Sequence, residues 1–255
     1  MIYKTIHQIW DGDRTPPEWD QWIKSWTDNH PHWDYILWST DDCRNLITEQ
    51  FPWFLETYDN YQFNIQRMDA IRYFILYSMG GLYCDLDIWC AKNIDGLITG
   101  DCVLFEGHPD HGLDEHFLTN SIFTNSILYS DPRNKFMRCV QKSLKSGSTF
   151  IQHKDTAHPE GKLVTQSGIS TGNPMTVAMT AGSGLLTRAY YRYKDITPVH
   201  IQSHKCFEYH SKSTRHNMLK CNNLEIPGVS FGIHWSIGSW IVSEDSNLKY
   251  KFTDK

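Results

Sequence analysis

The sequence predicts an α/β fold in which a mainly parallel sheet is flanked by helices. Short β-rich runs alternate with helical patterns through the first hundred residues. Aromatic and acidic residues follow two of these runs at their carboxyl ends, where sheets of this kind bind ligands. The 255 residues contain no internal repeat, low-complexity tract or clear linker. We therefore expect a single domain over residues 1–242 and a polar tail over residues 243–255.

The first hundred residues begin with a predicted strand over residues 5–10. Pro17 then stands at the start of a helical pattern, as proline does at the first turn of many helices. We interpret its apolar stripe as core rather than as a sugar-binding platform, and the stripe consists of Trp19, Trp22, Ile23 and Trp26. A second strand is predicted over residues 35–38. A helix over residues 43–47 follows, capped by residues 39–42.

The strongest helical pattern of the chain covers residues 64–79. Its side chains recur at helical spacing, and they are Ile65, Met68, Arg72, Ile75 and Met79. Gly80-Gly81 supplies the stop, and a strand follows directly. A further strand is predicted over residues 103–106 and a further helix over residues 174–179. The polar segment 107–161 is expected to consist mostly of loops.

Asp85 and Asp87 lie in the run Gly80-Gly81-Leu82-Tyr83-Cys84-Asp85-Leu86-Asp87. Alternate side chains of an extended strand share a face, so the two carboxylates are expected side by side. Many Asp-x-Asp sequences are solvated turns, and the motif alone leaves that alternative open. The apolar neighbours argue against it, because buried like charges need compensation. A divalent cation such as Mn²⁺ or Mg²⁺ would compensate them, since both ions accept oxygen ligands.

Three further features could belong to the same site. Asp69 and Arg72 share a face of the predicted helix, either as a structural ion pair or as groups for sugar hydroxyls and phosphate. His234 lies in an apolar run, where a histidine is more often a core residue than a ligand. Ser239 beside Trp240 indicates a close backbone approach, and the Trp240 indole N–H could donate to a phosphate oxygen.

Four blocks of sequence resemble one family of enzymes. The blocks are Ile6-His7-Gln8-Ile9-Trp10, Met68-Asp69-Ala70-Ile71-Arg72-Tyr73, the Asp-x-Asp run, and the segment from His234 to Trp240. Together they resemble the family 32 glycosyltransferases with the Asp-x-Asp signature, which include initiating α-1,6-mannosyltransferases and capsular polysaccharide enzymes. The core of this family is related to that of the clostridial glucosylating toxins. The resemblance implies a GT-A fold that binds a nucleotide-sugar together with Mn²⁺ or Mg²⁺.

The resemblance also implies roles for individual residues. The residues expected to bind the donor are Trp10, Asp69, Arg72, Tyr83, Asp85, Asn125, Ser239 and Trp240. Among them, Trp10 would stack on the base and Trp240 would hold the β-phosphate. The expected metal ligands are Asp85, Asp87 and His234, and Asp87 is the direct one. Asp85, Asp87 and Arg72 would carry catalysis. Asn120 is an alternative match to the same asparagine of the family, and Asn125 could instead be a turn or cap residue.

The resemblance is incomplete at Thr171-Gly172-Asn173-Pro174, where the family often has a Gly-Pro pair. The loop on the acceptor side is therefore expected to differ. The family implies transfer with retention at the anomeric carbon, and no nucleophile is assigned. UDP-sugars are slightly favoured over GDP-sugars. Two other functions stay open: a catalytically silent module that binds nucleotide-sugars or glycans, and a metal-dependent phosphohydrolase.

Composition limits the partners of the protein. The net charge of −5 argues against nucleic acid as a partner. No apolar run reaches the length of a membrane span, and the first residues do not form a signal peptide. Seven cysteines without a Cys-x-x-Cys pair predict reduced, mostly buried thiols in the cytoplasm. The expected acceptor is a glycan or a glycolipid, the latter with peripheral membrane contact.

Overall fold

The computed structural model describes residues 2–109, 121–150, 173–211, 214–215, 217–218 and 227–236. The helices are α1 (Asp20–Asn29), α2 (Thr40–Gln50), α3 (Pro52–Asp59), α4 (Asn64–Met79), α5 (Lys135–Phe150), α6 (Asn173–Thr180) and α7 (Ser183–Tyr193). The strands are β1 (Thr5–Ile9), β2 (Asp34–Trp38), β3 (Gly81–Cys84), β4 (Ile88–Cys90), β5 (Cys102–Glu106), β6 (Phe123–Ser130), β7 (His200–Gln202) and β8 (Gly232–His234).

Six strands form a mixed sheet in the order β2-β1-β3-β6-β5-β7. β1 is parallel to β2 and β3, whereas β6 is antiparallel to both β3 and β5. β5 and β7 are parallel to each other, so β6 is the one strand of these six that runs against the others. The expectation of a mainly parallel sheet therefore holds except at β6. Three parallel strands, β1 to β3, end at the same edge, and this edge carries Trp10 and Asp85. A separate antiparallel pair, β4 and β8, lies beyond it.

The sheet is covered on both faces, as an α/β fold requires. Neighbouring residues of a strand belong to different cores because their side chains alternate in direction. Tyr83 and Leu128 pack in the core under α2 to α5 and α7, while Leu82 and Ile127 pack in the opposite core with Trp26 of α1. The α/β class is therefore confirmed.

Helix α4 has the bounds that its sequence pattern predicts. It is buried from Met68 to Leu76, so nearly every side of it is covered by other elements, and Asp69 and Arg72 lie within this buried stretch. Gly80 and Gly81, with φ angles of +70° and +102°, turn the chain from α4 into β3. A Cβ on Gly81 would come within 2.4 Å of the carbonyl oxygen of Thr5 on β1. The pair of glycines therefore allows β3 to lie directly beside β1.

Several predicted features agree with the structure and one segment does not. The core role of the tryptophan stripe is confirmed, since Trp19, Trp22 and Trp26 are at most 5% exposed. The helix over 40–50 begins with the predicted cap, in which Ser39 and Asp42 exchange hydrogen bonds. The prediction of loops over 107–161 is wrong where β6 and α5 lie. β6 is buried throughout, and α5 buries Phe136, Met137, Val140 and Leu144.

The cysteines and the helices bear on two further predictions. Six cysteines within the described residues are unpaired, and five of these six are buried. This agrees with the prediction of reduced, mostly buried thiols. Within the same described part of the chain, no helix combines the length and apolar character needed to cross a bilayer.

His7 joins three elements under the sheet edge. The Trp38 indole N–H, which can only donate, contacts His7 Nδ1 at 3.2 Å. The proton therefore sits on Nε2, which donates to the Gly80 carbonyl oxygen at 2.9 Å. Burial lowers the pKa of His7 to about 4, although the bond to Gly80 opposes that shift. The ring is thus neutral in the folded protein.

We expect His7 to make folding stability dependent on pH. Its pKa is lower in the folded state than in the unfolded state, so the unfolded chain binds the extra proton. The stabilisation is complete above pH 6.5 and is lost as the pH falls towards about 4, by about 3 kcal/mol. Urea unfolding of the parent and of His7→Gln from pH 4 to 8 measures it. If the free energy of unfolding depended on pH in the same way in both proteins, the lowered pKa of His7 would be contradicted.

Candidate active site

Asp85 and Asp87 lie on a tight turn rather than within one strand. The Asp85 N–H donates to the Ser126 carbonyl oxygen at 2.8 Å, so pairing with β6 continues one residue beyond β3. The Ile88 N–H then donates to the Asp85 carbonyl oxygen at 3.2 Å and closes the turn into β4. The prediction of a continuous strand through both aspartates is therefore wrong. The turn re-aims the two side chains instead of leaving them on one face of a strand.

The turn places the two carboxylates beside His234. Each of Asp85, Asp87 and His234 offers one ligand atom, and these three atoms lie within 4.8 Å of one another. His234 ends β8 and is paired with Ile88 of β4, which follows the turn. His234 Nε2 lies 3.5 Å from Asp87 Oδ1. Two carboxylate oxygens and one imidazole nitrogen fit Mn²⁺ well, and Mg²⁺ would use mainly the oxygens.

The other nitrogen of His234 is held by Glu208, which sequence reasoning missed. His234 Nδ1 lies 2.6 Å from Glu208 Oε1, and Glu208 is 2% exposed. Burial lowers the pKa of His234, but the carboxylates of Asp87 and Glu208 outweigh it and raise the pKa to about 10. No pattern around Cys206-Phe207-Glu208-Tyr209 marks this residue, because the contact depends on how β8 packs.

Arg72 lies under the turn that carries Asp85 and Asp87, and it is 3% exposed. Its guanidinium donates to Asp69 Oδ1 at 2.6 Å and to Asp85 Oδ1 at 3.2 Å. It also donates to the Asn125 carbonyl oxygen at 2.6 Å. The group stacks 4.5 Å from the centre of the Tyr83 ring, whose hydroxyl donates to Asp85 Oδ1 at 2.7 Å. Arg72 thereby fixes both carboxylates in place.

The electrostatics of this network favour a positive charge at Arg72. Burial lowers the pKa of Arg72, but Tyr83, Asp85 and Asp69 together outweigh it and raise the pKa. Burial raises the pKa of Asp69 to about 6, and the Arg72 charge limits that rise. Burial also raises the pKa of Asp85, with Arg72 again opposing and Asp87 adding to the rise. A further cation beside these carboxyl groups would therefore stabilise their ionised forms.

Asn125, which the resemblance places near the donor sugar, lies next to Asp69. Its role toward a donor stays a prediction. Its Nδ2 donates to Asp69 Oδ1 at 3.0 Å. Its Oδ1 accepts from the Ser183 hydroxyl at 2.9 Å, at the start of α7. Ser183 is a second residue that the sequence did not reveal. A Cβ on Gly182 would lie 3.0 Å from Asp69 Oδ2, so glycine leaves room for the carboxylate.

Trp10 follows β1 at the carboxyl edge of the sheet. Its N–H donates to the Trp38 carbonyl oxygen at 2.9 Å, which extends the pairing of β1 with β2. Its ring meets that of Trp19 edge-on, with centroids 5.3 Å apart. A Cβ on Gly12 would lie 2.7 Å from Trp10 Nε1, so glycine at this position accommodates the indole. The ring is half-buried and keeps an accessible part at the sheet edge.

The remaining predicted positions lie outside the described residues. They are Ser239, Trp240, Asn120, the Thr171-Gly172 pair and the tail over 243–255. The described part of the chain thus brings together Asp69, Arg72, Tyr83, Asp85, Asp87, Asn125 and His234, and it places Trp10 at the same edge of the sheet.

A solved glycosyltransferase domain shares the fold of this protein. The structure superposes on the ligand-free glycosyltransferase domain of the YGT toxin with a TM-score of 0.53. The two chains are 10% identical, and the match covers 79% of this chain and 80% of the toxin domain. At this identity the likeness is one of fold, and it is the GT-A fold that the sequence predicts.

Residues 16–104 match the family described as the glycosyltransferase sugar-binding region containing a DXD motif. This segment is therefore similar to the glycosyltransferases with this motif, and the predicted resemblance is confirmed.

Two yeast proteins illustrate the relationship. Inositol phosphoceramide mannosyltransferase 3 of Schizosaccharomyces pombe is 45% identical over 38% of this chain and 27% of its own length. Mannosyl phosphorylinositol ceramide synthase SUR1 of Saccharomyces cerevisiae is 37% identical over 57% of this chain and 35% of its own length. The matches thus span about a quarter to a third of the length of these relatives.

Proposed function

We propose that this protein is a metal-dependent glycosyltransferase that moves a hexose from a nucleotide-sugar to a hydroxyl acceptor. The observation that carries the proposal is the convergence of Asp85, Asp87 and His234 at the carboxyl edge of β1 to β3. Ligands of α/β sheets bind at this edge. The DXD family match over residues 16–104 independently supports the same activity.

We propose that Asp87 and His234 bind the metal directly and that Asp85 is shared between metal and donor. A bound Mn²⁺ would act as a Lewis acid towards the diphosphate leaving group. Arg72 would act by holding Asp69 and Asp85, because four of its hydrogen bonds already go to protein oxygens. Its contact with a phosphate, and the role of Tyr83 in lining the donor pocket, stay predictions.

Asp69 and Asn125 would recognise the sugar. Asp69 Oδ1 is used by Arg72 and Asn125, while Oδ2 faces the space that Gly182 leaves. A carboxylate oxygen accepts hydrogen bonds from sugar hydroxyls well. Trp10 would stack on the base, Trp240 would hold the β-phosphate, and Ser239 would bind the donor. These three roles stay predictions.

The transfer itself would retain the configuration of the anomeric carbon. The acceptor oxygen forms a bond to that carbon while the bond to the diphosphate oxygen breaks. The electron pair leaves with the diphosphate, and a phosphate oxygen takes the acceptor proton. No side chain is assigned as a nucleophile. The anomeric configuration of the product, read by proton NMR, tests retention.

Names of the relatives guide the choice of substrates. Both yeast proteins are named for mannosyl transfer to an inositol-containing ceramide. We therefore propose mannose as the first sugar to test and a phosphoinositol glycolipid as the first acceptor, which entails peripheral membrane contact. The slight preference for UDP-sugars over GDP-sugars stays a prediction, as does a cytoplasmic location.

A thermal-shift and turnover panel tests the proposed function. The protein is measured with GDP-mannose, UDP-glucose and UDP-galactose, each with and without Mn²⁺. One of these donors is expected to raise Tm only with Mn²⁺, since binding at 100 times Kd adds about 2.7 kcal/mol of stability. The same donor should release nucleoside diphosphate on turnover. Release of inorganic phosphate would favour a phosphohydrolase, and binding without any turnover would favour a silent module.

A further inference from the structure

We propose that Glu208 is the residue that positions His234 for metal binding. The proposal rests on the proposed function, because it assigns a partner to the histidine of that metal site. Glu208 Oε1 lies 2.6 Å from His234 Nδ1, and both side chains are buried. A carboxylate on the far nitrogen of a histidine ligand fixes the ring and raises its basicity.

Glu208 also selects the tautomer that can bind a metal. An ionised carboxylate can only accept, so His234 Nδ1 must carry the hydrogen of this bond. A metal ion would displace the other ring proton, from Nε2, and the lone pair freed there belongs to the nitrogen that faces Asp87 at 3.5 Å. Glu208 thereby reserves Nε2, beside the aspartates, as the nitrogen that binds the metal.

The neighbouring hydroxyls show why a carboxylate is needed here. Ser236 Oγ and Ser126 Oγ lie 3.3 Å and 3.4 Å from His234 Nδ1, farther away than Glu208. A serine hydroxyl can donate as well as accept. Donation to Nδ1 would move the ring hydrogen to Nε2 and occupy the lone pair needed for the metal. Glu208 excludes that arrangement.

Glu208 is itself held firmly. Its Oε2 accepts from the His108 N–H at 2.7 Å, just beyond β5. Its own N–H donates to the His204 carbonyl oxygen at 2.6 Å. The His234 N–H donates to the Phe207 carbonyl oxygen at 2.9 Å, one residue before Glu208. Main-chain bonds thus fix both the carboxylate and the histidine, so their relative position is set by the fold.

Glu208→Gln is the variant that tests this role. Glu208 contacts His108 with one oxygen and His234 with the other, and the amide of glutamine keeps an acceptor at only one of these two positions. We expect the affinity for Mn²⁺ to fall 10- to 100-fold, roughly the effect of losing such a partner. The measurement is electron paramagnetic resonance of free Mn²⁺, with and without saturating GDP or UDP. Glu106→Gln is the matched control, because Glu106 bonds to Ser121 and belongs to no metal contact.

A double-mutant cycle separates positioning from general structure. In a His234→Ala background, Glu208→Gln should change Mn²⁺ affinity by less than about twofold, because the residue it positions is gone. Glu208→Asp keeps the charge but shortens the side chain, and it should lose affinity at an unchanged Tm of the metal-free protein. This second variant carries the test if the glutamine variant does not fold.

Three outcomes would overturn the inference. The first applies when the parent binds Mn²⁺ in the presence of nucleotide: the Glu208→Gln protein then binds Mn²⁺ as tightly as the parent does. Another is an equal loss in Glu106→Gln or in the His234→Ala background. The third is a metal-free Tm that falls in both Glu208 variants, which would make Glu208 a folding residue. A parent that binds no Mn²⁺ would instead overturn the metal-dependent function and this inference together.

Discussion

Asp87→Ala is expected to reduce the rate of sugar transfer by at least about 10³-fold, or about 4 kcal/mol of transition-state stabilisation. Asp87 is one of three groups whose ligand atoms converge within 4.8 Å. Its removal leaves one carboxylate and one imidazole, too few protein ligands to hold a cation on the diphosphate tightly. Affinity for Mn²⁺ should fall in parallel. Steady-state turnover of the best donor and Mn²⁺ titration measure the two effects.

The Asp87 variant has a matched control in Asp101→Ala. Asp101 is an exposed aspartate directly before β5, and it is not among the three residues whose ligand atoms converge. Its substitution should leave turnover unchanged. Asp87→Asn, which preserves side-chain volume, should behave as Asp87→Ala does. Full activity of Asp87→Ala with Mn²⁺ bound as in the parent would remove Asp87 from the metal site.

Arg72→Met is expected to destabilise the protein by about 3–5 kcal/mol. The guanidinium compensates the carboxylates of Asp69 and Asp85, and its removal leaves buried negative charge without a partner. For a chain of this size, that loss corresponds to a fall in Tm of roughly 10 °C. Urea unfolding and differential scanning calorimetry measure the change. Donor turnover should also be lost, because Arg72 fixes both carboxylates.

Two further variants interpret the Arg72 result. Arg44→Met removes an arginine that binds Asp59 through two bonds, at 3.0 Å and 2.8 Å, but on the surface. Its Tm should be essentially unchanged because water screens exposed ion pairs. Adding Asp69→Asn to Arg72→Met should restore part of the stability, since it removes one uncompensated charge. A Tm for Arg72→Met equal to that of Arg44→Met would contradict the argument.

Much of the site could be recognised from local sequence. Asp69 and Arg72 are three residues apart on a helix whose bounds the apolar pattern predicts, so their ion pair follows from helical geometry. The Asp-x-Asp pair stood out because it lies in an apolar run. These signals are short in range, and the physical rules that govern them act over one or two turns of chain.

Other parts of the site could not be predicted from such rules. Glu208 meets His234 across 26 residues, and Ser183 meets Asn125 across 58. The sequence around Glu208 and Ser183 shows no spacing that marks a site. Their contacts exist because β8 pairs with β4 and because α7 packs against β6, which are long-range consequences of the whole core.

Local sequence was enough to predict the class of fold, the limits of α4, the core tryptophans and the identity of the two aspartates, because periodicity, caps and apolar runs are local properties. Tertiary structure decided that β6 runs antiparallel to its neighbours β3 and β5 and that Asp85 and Asp87 lie on a turn. It also decided that His234 joins them and that Glu208 holds it. Strand pairing depends on which distant segments can be buried together, and that choice is made by the packed core as a whole.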